Sequence, residues 1–169
     1  LKKIFVISAI IETAGAALLF FRWFPEFGLK KAALYAVFHS ISAFCNAGLA
    51  LPAQFASLSA YKADIVINLT IAALAILGGL GFLVIADIFQ NKRFSLQSKI
   101  VIWTSALLII FGTILIFGME FQNNATIGSL SSGNKLLVSF FHSVSSRTAG
   151  FHTLAIGGML RPTALIIIF

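Results

Sequence analysis

The chain has 169 residues, of which 59% are hydrophobic and 10% charged, with a mean hydropathy of +1.01 and a formal charge of +7. A soluble domain carries roughly a quarter charged residues, so a water-soluble globular domain is excluded, and the long apolar runs assign the basic balance to membrane topology rather than to nucleic acid. A single cysteine, Cys45, excludes an intrachain disulfide scaffold.

A bilayer core of about 30 Å needs about 20 apolar residues in a helix rising about 1.5 Å per residue. The first stretch to qualify is Ile4 to Phe24, too long for a signal-peptide core and without a cleavage pattern after it. It carries one acid, Glu12, and ends at Arg22, Trp23 and Pro25, an interfacial aromatic followed by a helix stopper. Lys31 to Phe44 is apolar but reaches only about 20 Å as a helix, the length of a re-entrant or core helix. It runs into Cys45, Asn46, Ala47 and Gly48. A second span is expected over Ile65 to Phe89, which contains Gly78, Gly79 and Gly81, first a close helix contact and second a hinge, and Asp87 as an interfacial anchor. Ile100 to Met119, opening on Trp103, is a third. Asn134 to Ser146 is again half a span and runs into Arg147, Thr148, Ala149 and Gly150, and Thr163 to Phe169 begins a further apolar run. With no Met at its start and an apolar run at its end, the chain reads as a piece of a longer protein.

An internal repeat ties these pieces together. Phe38-His39-Ser40-Ile41-Ser42 returns 103 residues later as Phe141-His142-Ser143-Val144-Ser145, and Ala47-Gly48-Leu49 returns after 102 as Ala149-Gly150-Phe151. The unit is span, short helix, Gly loop, span, giving one whole repeat over residues 1–99 and the start of the next over 100–169. The predicted class is therefore an all-α integral membrane protein. The ten residues from Gln90 to Lys99 hold Lys92, Arg93 and Lys99, and Lys2 and Lys3 precede the first span. That density places both on the cytoplasmic side, so the short helices enter from outside. Their C-termini, the negative ends of the macrodipoles, then point toward the membrane centre and stabilise a cation, while Gly-containing backbone can turn carbonyls toward it. Irregular backbone at that depth must be buried in protein or line a wet cavity. By themselves these features indicate a cation pore with no ion identity.

Phe38 to Leu49, Gly78-Gly79-Leu80-Gly81-Phe82 and Ser146-Arg147-Thr148-Ala149-Gly150-Phe151 resemble, in order and spacing, the pore-loop and inner-helix motifs of the Trk/Ktr/HKT superfamily of potassium transporters, in its KtrB/TrkH type of membrane subunit. The resemblance implies four such repeats around one path, with the second and third present here. It implies an ion-selectivity filter built on Cys45, Asn46, Ala47 and Gly48 and on Arg147, Thr148, Ala149 and Gly150, with K+, or Na+ in some members, held by backbone carbonyls near Asn46, Ala47, Gly48, Thr148, Ala149 and Gly150. It further implies a homodimer in a bacterial plasma membrane and a cytoplasmic nucleotide-binding (RCK-type) regulatory subunit, and no cofactor. Cys45 stands where Asn is also common in that family, and Leu49 where Phe is usual.

Blander roles compete at several positions. His39 and His142 are more simply a packed or hydrogen-bonded support behind their loops than metal ligands, and His152 has no acid or Cys at ligand spacing. Glu12 reads equally as a functional acid or as a buried partner supporting the filter. Arg147, beside a cation path, is expected to point behind its loop and pair there with an acid or carbonyls. An intramembrane enzyme using His39, His142, His152 and Glu12 lacks a recurring nucleophile and base. A non-conducting scaffold would not need the repeated Gly loop.

Overall fold

The computed structural model describes residues 2–51, 58–90, 94–154 and 156–168. The expected cytoplasmic charges Lys92 and Arg93, and the terminal Phe169, lie outside the described residues. Among those described the chain is all helical, with no strand: α1 (Lys2–Phe44), α2 (Ile65–Leu80), α3 (Phe82–Gln90), α4 (Leu96–Glu120), α5 (Ser132–Val144) and α6 (Arg161–Ile168).

α1 covers the first expected span and the first short helix, yet it is not one rod. Gly28 has φ 69° and ψ 174°, which interrupts the helical path. Residues 12 and 40 would lie about 42 Å apart along an unbroken helix. Instead the Ser40 hydroxyl donates to the Glu12 carbonyl at 2.6 Å. The arms 2–27 and 29–44 thus form a hairpin, the second arm about 24 Å long and the first long enough to cross a bilayer. Pro25 lies inside the helix rather than ending it, and the break falls three residues later. Only a residue without Cβ takes Gly28's φ at no steric cost.

The expected span Ile65 to Phe89 is broken as well. α2 starts on the Asp64 carboxylate, which accepts from the Ile67 N–H at 3.0 Å and pairs with Arg22 Nε at 2.5 Å. It ends at Gly81, and α3 leaves at 103° to it. Asp87 then accepts from the Ser95 N–H at 3.2 Å and the Ser98 hydroxyl at 2.5 Å, tying α3 to the start of α4. α4 is 25 residues long and apolar enough to cross a bilayer in one piece. α5, at 13 residues, spans about 20 Å, as expected of the second short helix.

Small residues set the helix contacts, as they do where lipid removes the hydrophobic drive between helices. A Cβ on Gly78 would fall 1.8 Å from the Phe44 carbonyl oxygen, so α2 passes directly against the end of the second α1 arm. On the outside the molecule is apolar: Phe5, Phe21 and Trp103 are each more than 70% exposed.

Candidate functional site

The two Gly loops are brought together. A Cβ on Gly48 would meet the Ala149 carbonyl at 2.7 Å and Gly150 Cα at 3.0 Å, and one on Gly150 would meet Gly48 Cα at 3.3 Å. Both glycines have positive φ, 68° and 73°. Two further contacts join the copies: the Leu58 N–H donates to the His152 carbonyl at 3.0 Å, and the Phe151 ring stacks on His39 at 6.3 Å.

Each loop is braced from its own short helix by the same pair of side chains. In the first copy the Ser42 hydroxyl donates to the Leu49 carbonyl at 2.8 Å and accepts from the Leu49 N–H at 2.9 Å. His39 sits against the Tyr35 carbonyl through Nδ1 at 2.7 Å and accepts from the Leu51 N–H through Nε2 at 3.3 Å. A carbonyl only accepts and an amide N–H only donates, so these partners assign the proton to Nδ1 and make the ring neutral. In the second copy the Ser145 hydroxyl donates to the Phe151 carbonyl, and His142 Nε2 accepts from the Thr153 N–H at 3.4 Å. The helix residues correspond at 103 residues and the loop residues at 102, so the one-residue loss seen in the sequence is preserved in the hydrogen bonds.

The copies absorb that difference in different ways. After α1 the chain places Asn46 at φ 52° before Gly48. After α5 it widens into a π turn over Ser145–Ala149 and meets Gly150 directly. In both, an i to i−5 bond closes the helix: Ala47 N–H to the Ser42 carbonyl at 2.8 Å and Gly150 N–H to the Ser145 carbonyl at 3.2 Å.

The remaining candidates are scattered around this junction. Cys45 is exposed at the helix end. Glu12 is half-buried and touches the short helix through its carbonyl rather than its carboxylate; its side chain lines a cleft of about 840 Å3 with Phe44, Cys45 and Phe82. Arg147 is half-buried in the π turn, and among the described residues no carboxylate lies within ion-pair distance of it. Thr148 contributes backbone to that turn. Among the described residues no group of three His, Cys, Asp or Glu side chains could hold a metal ion.

A second repeat went unread in the sequence. The Ser143 hydroxyl donates to the Ile109 carbonyl at 2.8 Å, as Ser40 does to Glu12, and a Cβ on Gly112 would meet Ser143 Oγ at 2.5 Å, as one on Gly15 would meet Ser40 Oγ at 2.9 Å. The Phe20 and Phe24 rings pair at 5.5 Å, and Phe117 and Phe121 at 5.2 Å. All these outer-helix pairs are 97 residues apart, six fewer than the short helices. The single-residue matches Ser8 with Ser105 and Gly15 with Gly112 are the signal that would have found it.

A family of cation transport proteins, TrkH, matches residues 1–169 of the chain. The chain is 40% identical to the Ktr system potassium uptake protein B of Vibrio alginolyticus, over 99% of this chain and 37% of that protein. It is 37% identical to the protein of the same name from Bacillus subtilis (strain 168), over 96% of this chain and 37% of that one. The potassium/sodium uptake protein NtpJ of Enterococcus hirae is 37% identical over 87% of this chain and 33% of its own length. The chain thus spans about a third of the length of the relatives it matches.

Proposed function

Because the chain belongs to the TrkH family of cation transport proteins, a family of membrane transporters and not of enzymes, we propose that it is part of the potassium-translocating subunit of a Ktr-type uptake system. In this reading Gly48 and Gly150 are two sectors of one selectivity filter, and carbonyls near Asn46, Ala47, Gly48, Thr148, Ala149 and Gly150 replace the hydration shell of the ion. The observation that carries it is the meeting of two similarly braced loops at their glycines. Packing alone does not require two half-span helices to end in two left-handed glycines at one point. A cation path needs both: helix C-termini aimed at the ion and backbone free to face it.

The rest of the reading follows from the same frame. Residues 1–99 are one span, pore helix, span unit and 100–169 the start of the next. Lys2, Lys3 and the loop at 90–99 face the cytoplasm of a bacterial plasma membrane. His39 and His142, with Ser42 and Ser145, hold the filter from behind, and Glu12 supports the first pore helix through its carbonyl. The whole protein works as a homodimer with a cytoplasmic nucleotide-binding regulatory subunit, a partnership in keeping with relatives named as components of a Ktr system. A sodium-permeable or cotransporting variant is the second reading, favoured by the relative named for both ions.

Uptake by the full-length protein in a host lacking its own potassium transport tests this. Ser at either glycine leaves the path open while disfavouring the left-handed backbone. Gly48→Ser and Gly150→Ser are expected to raise the potassium concentration for half-maximal uptake and weaken discrimination against sodium, more than they lower maximal rate. Unaltered affinity and selectivity in well-expressed variants would leave the loops as packing and put the scaffold reading first. Wild-type uptake that follows sodium as well as potassium would select the second reading.

A further inference from the structure

We infer that Glu120 is a positioning residue for the second loop, an assignment that rests on reading that loop as a filter sector. Glu120 ends α4 and is fully buried, where a carboxylate must be compensated. Its compensation is entirely neutral. Oε1 accepts from the Leu160 N–H at 2.9 Å, and Oε2 accepts from the Asn123 amide at 2.7 Å and the Thr126 hydroxyl at 2.5 Å. The same Asn123 amide donates its other hydrogen to the Gly158 carbonyl at 2.9 Å. Among the described residues no cation lies within ion-pair distance; Lys135 is engaged with the Phe121 carbonyl at 2.8 Å and lies over the Phe121 ring at 4.1 Å.

What Glu120 grips is the chain leaving the second loop. Thr153 is held by His142, and Gly158 and Leu160 follow within seven residues, so the loop is pinned on one side by α5 and on the other by the end of α4. The outer-helix correspondence of 97 residues sets Glu120 opposite Trp23. Trp23 is buried too, but it braces the first copy by packing on His39, with ring centres 5.0 Å apart. The second copy has six more residues between outer and short helix, and Asn123 and Thr126 lie in that longer connection. Where the first copy uses an aromatic wedge, the second has a carboxylate and a connection that supplies its donors. Fully buried, Glu120 cannot touch a permeating ion, so its effect passes through the backbone it holds.

The carboxylate is specific, because only it accepts from all three donors; an amide would turn its own N–H group against at least one of them. In the full-length protein, tested as in the uptake assay above, Glu120→Gln is expected to raise half-saturation for potassium about fivefold to tenfold and to weaken discrimination against sodium. Maximal rate should stay within about twofold, and the amount of protein in the membrane should be unchanged. Thr126→Val, which removes one donor, should move both quantities the same way by less. Glu26→Gln, at an exposed carboxylate of the first copy, should change neither. Gly150→Ser is measured alongside. If Gly150→Ser shifts affinity and selectivity while Glu120→Gln and Thr126→Val do not, the role of Glu120 is overturned and the filter reading stands. If Gly150→Ser is also silent, the filter reading falls and this assignment with it. A Glu120→Gln protein present in reduced amount but with normal half-saturation has lost only stability, which overturns the proposal. Should Glu120→Gln fail to reach the membrane, Thr126→Val decides: shifted half-saturation supports positioning, and a normal value contradicts it.

Discussion

Gly28 and Gly78 are required for opposite reasons, and the difference is measurable. Gly28 has φ 69° and ψ 174° and nothing within 4 Å of where a Cβ would stand, so Gly28→Ala costs only backbone strain, about 1–3 kcal/mol. At Gly78 the backbone is helical, but a Cβ would sit 1.8 Å from the Phe44 carbonyl oxygen. That is backbone against backbone, which no rotamer change relieves. Gly78→Ala should therefore exceed the about 1–3 kcal/mol of ordinary overpacking. Thermal unfolding of the detergent-solubilised full-length protein is expected to show a modest drop for Gly28→Ala and loss of folded protein for Gly78→Ala; equal midpoints would refute the close approach. Arg147 was expected to pair behind its loop with an acid or with carbonyls, and no acid of the described residues lies within ion-pair distance of it. If it holds the second loop through groups outside the described residues, Arg147→Gln should lower uptake, and normal uptake with normal selectivity would count against that role.

Among the elements, the short helices were legible and the breaks only approximately. Lys31 to Phe44 and Asn134 to Ser146 announce themselves through a shared Phe-His-Ser motif and a following Gly, and their observed counterparts, residues 29–44 and Ser132–Val144, differ by two residues at each end that moves. The first span was expected to end at Pro25 because Pro cannot donate within a helix. Yet the chain is helical through Pro25 and reverses where left-handed backbone is free of strain. The 103° bend at Gly81 falls in the glycine cluster whose second reading was a hinge, while hydropathy alone reads residues 65–89 as one apolar run whatever their path. The outer-helix repeat escaped because its matches are single residues at helical spacing, shifted by six from the contiguous motif that defines the first. That repeat makes a quantitative claim: Ser40 and Ser143 do the same job. Ser40→Ala and Ser143→Ala should each cost about 0.6 kcal/mol, the average for a hydrogen bond between membrane helices, read as similar falls in the unfolding midpoint. A fall in one variant alone would break the equivalence.

On the scale of the whole molecule, exposed apolar surface and two convergent loops describe a protein meant to be surrounded. Phe5, Phe21 and Trp103 have no place in water at their exposure, and lipid or further protein satisfies them. In the proposed reading the remaining ligands around the junction of the loops come from segments like those that the relatives, nearly three times as long as this chain, carry beyond the matched region. The fold class and the loop glycines were readable because an internal repeat leaves motifs. How the loops are braced was readable in part: the repeated Phe-His-Ser motif marks His39 and His142 as supports behind the loops, whereas which backbone groups they and Ser42 and Ser145 hold is set by loop geometry that no local pattern marks. The central claim is that Gly48 and Gly150 border one ion position, and the most direct measurement is to locate the ion. Crystals of the full-length protein soaked in rubidium, a scatterer that substitutes for potassium, are expected to show an anomalous peak between the two loops, within coordination distance of carbonyls in residues 46–48 and 148–150. Rubidium bound elsewhere, with the space between these loops empty under the same conditions, would contradict it.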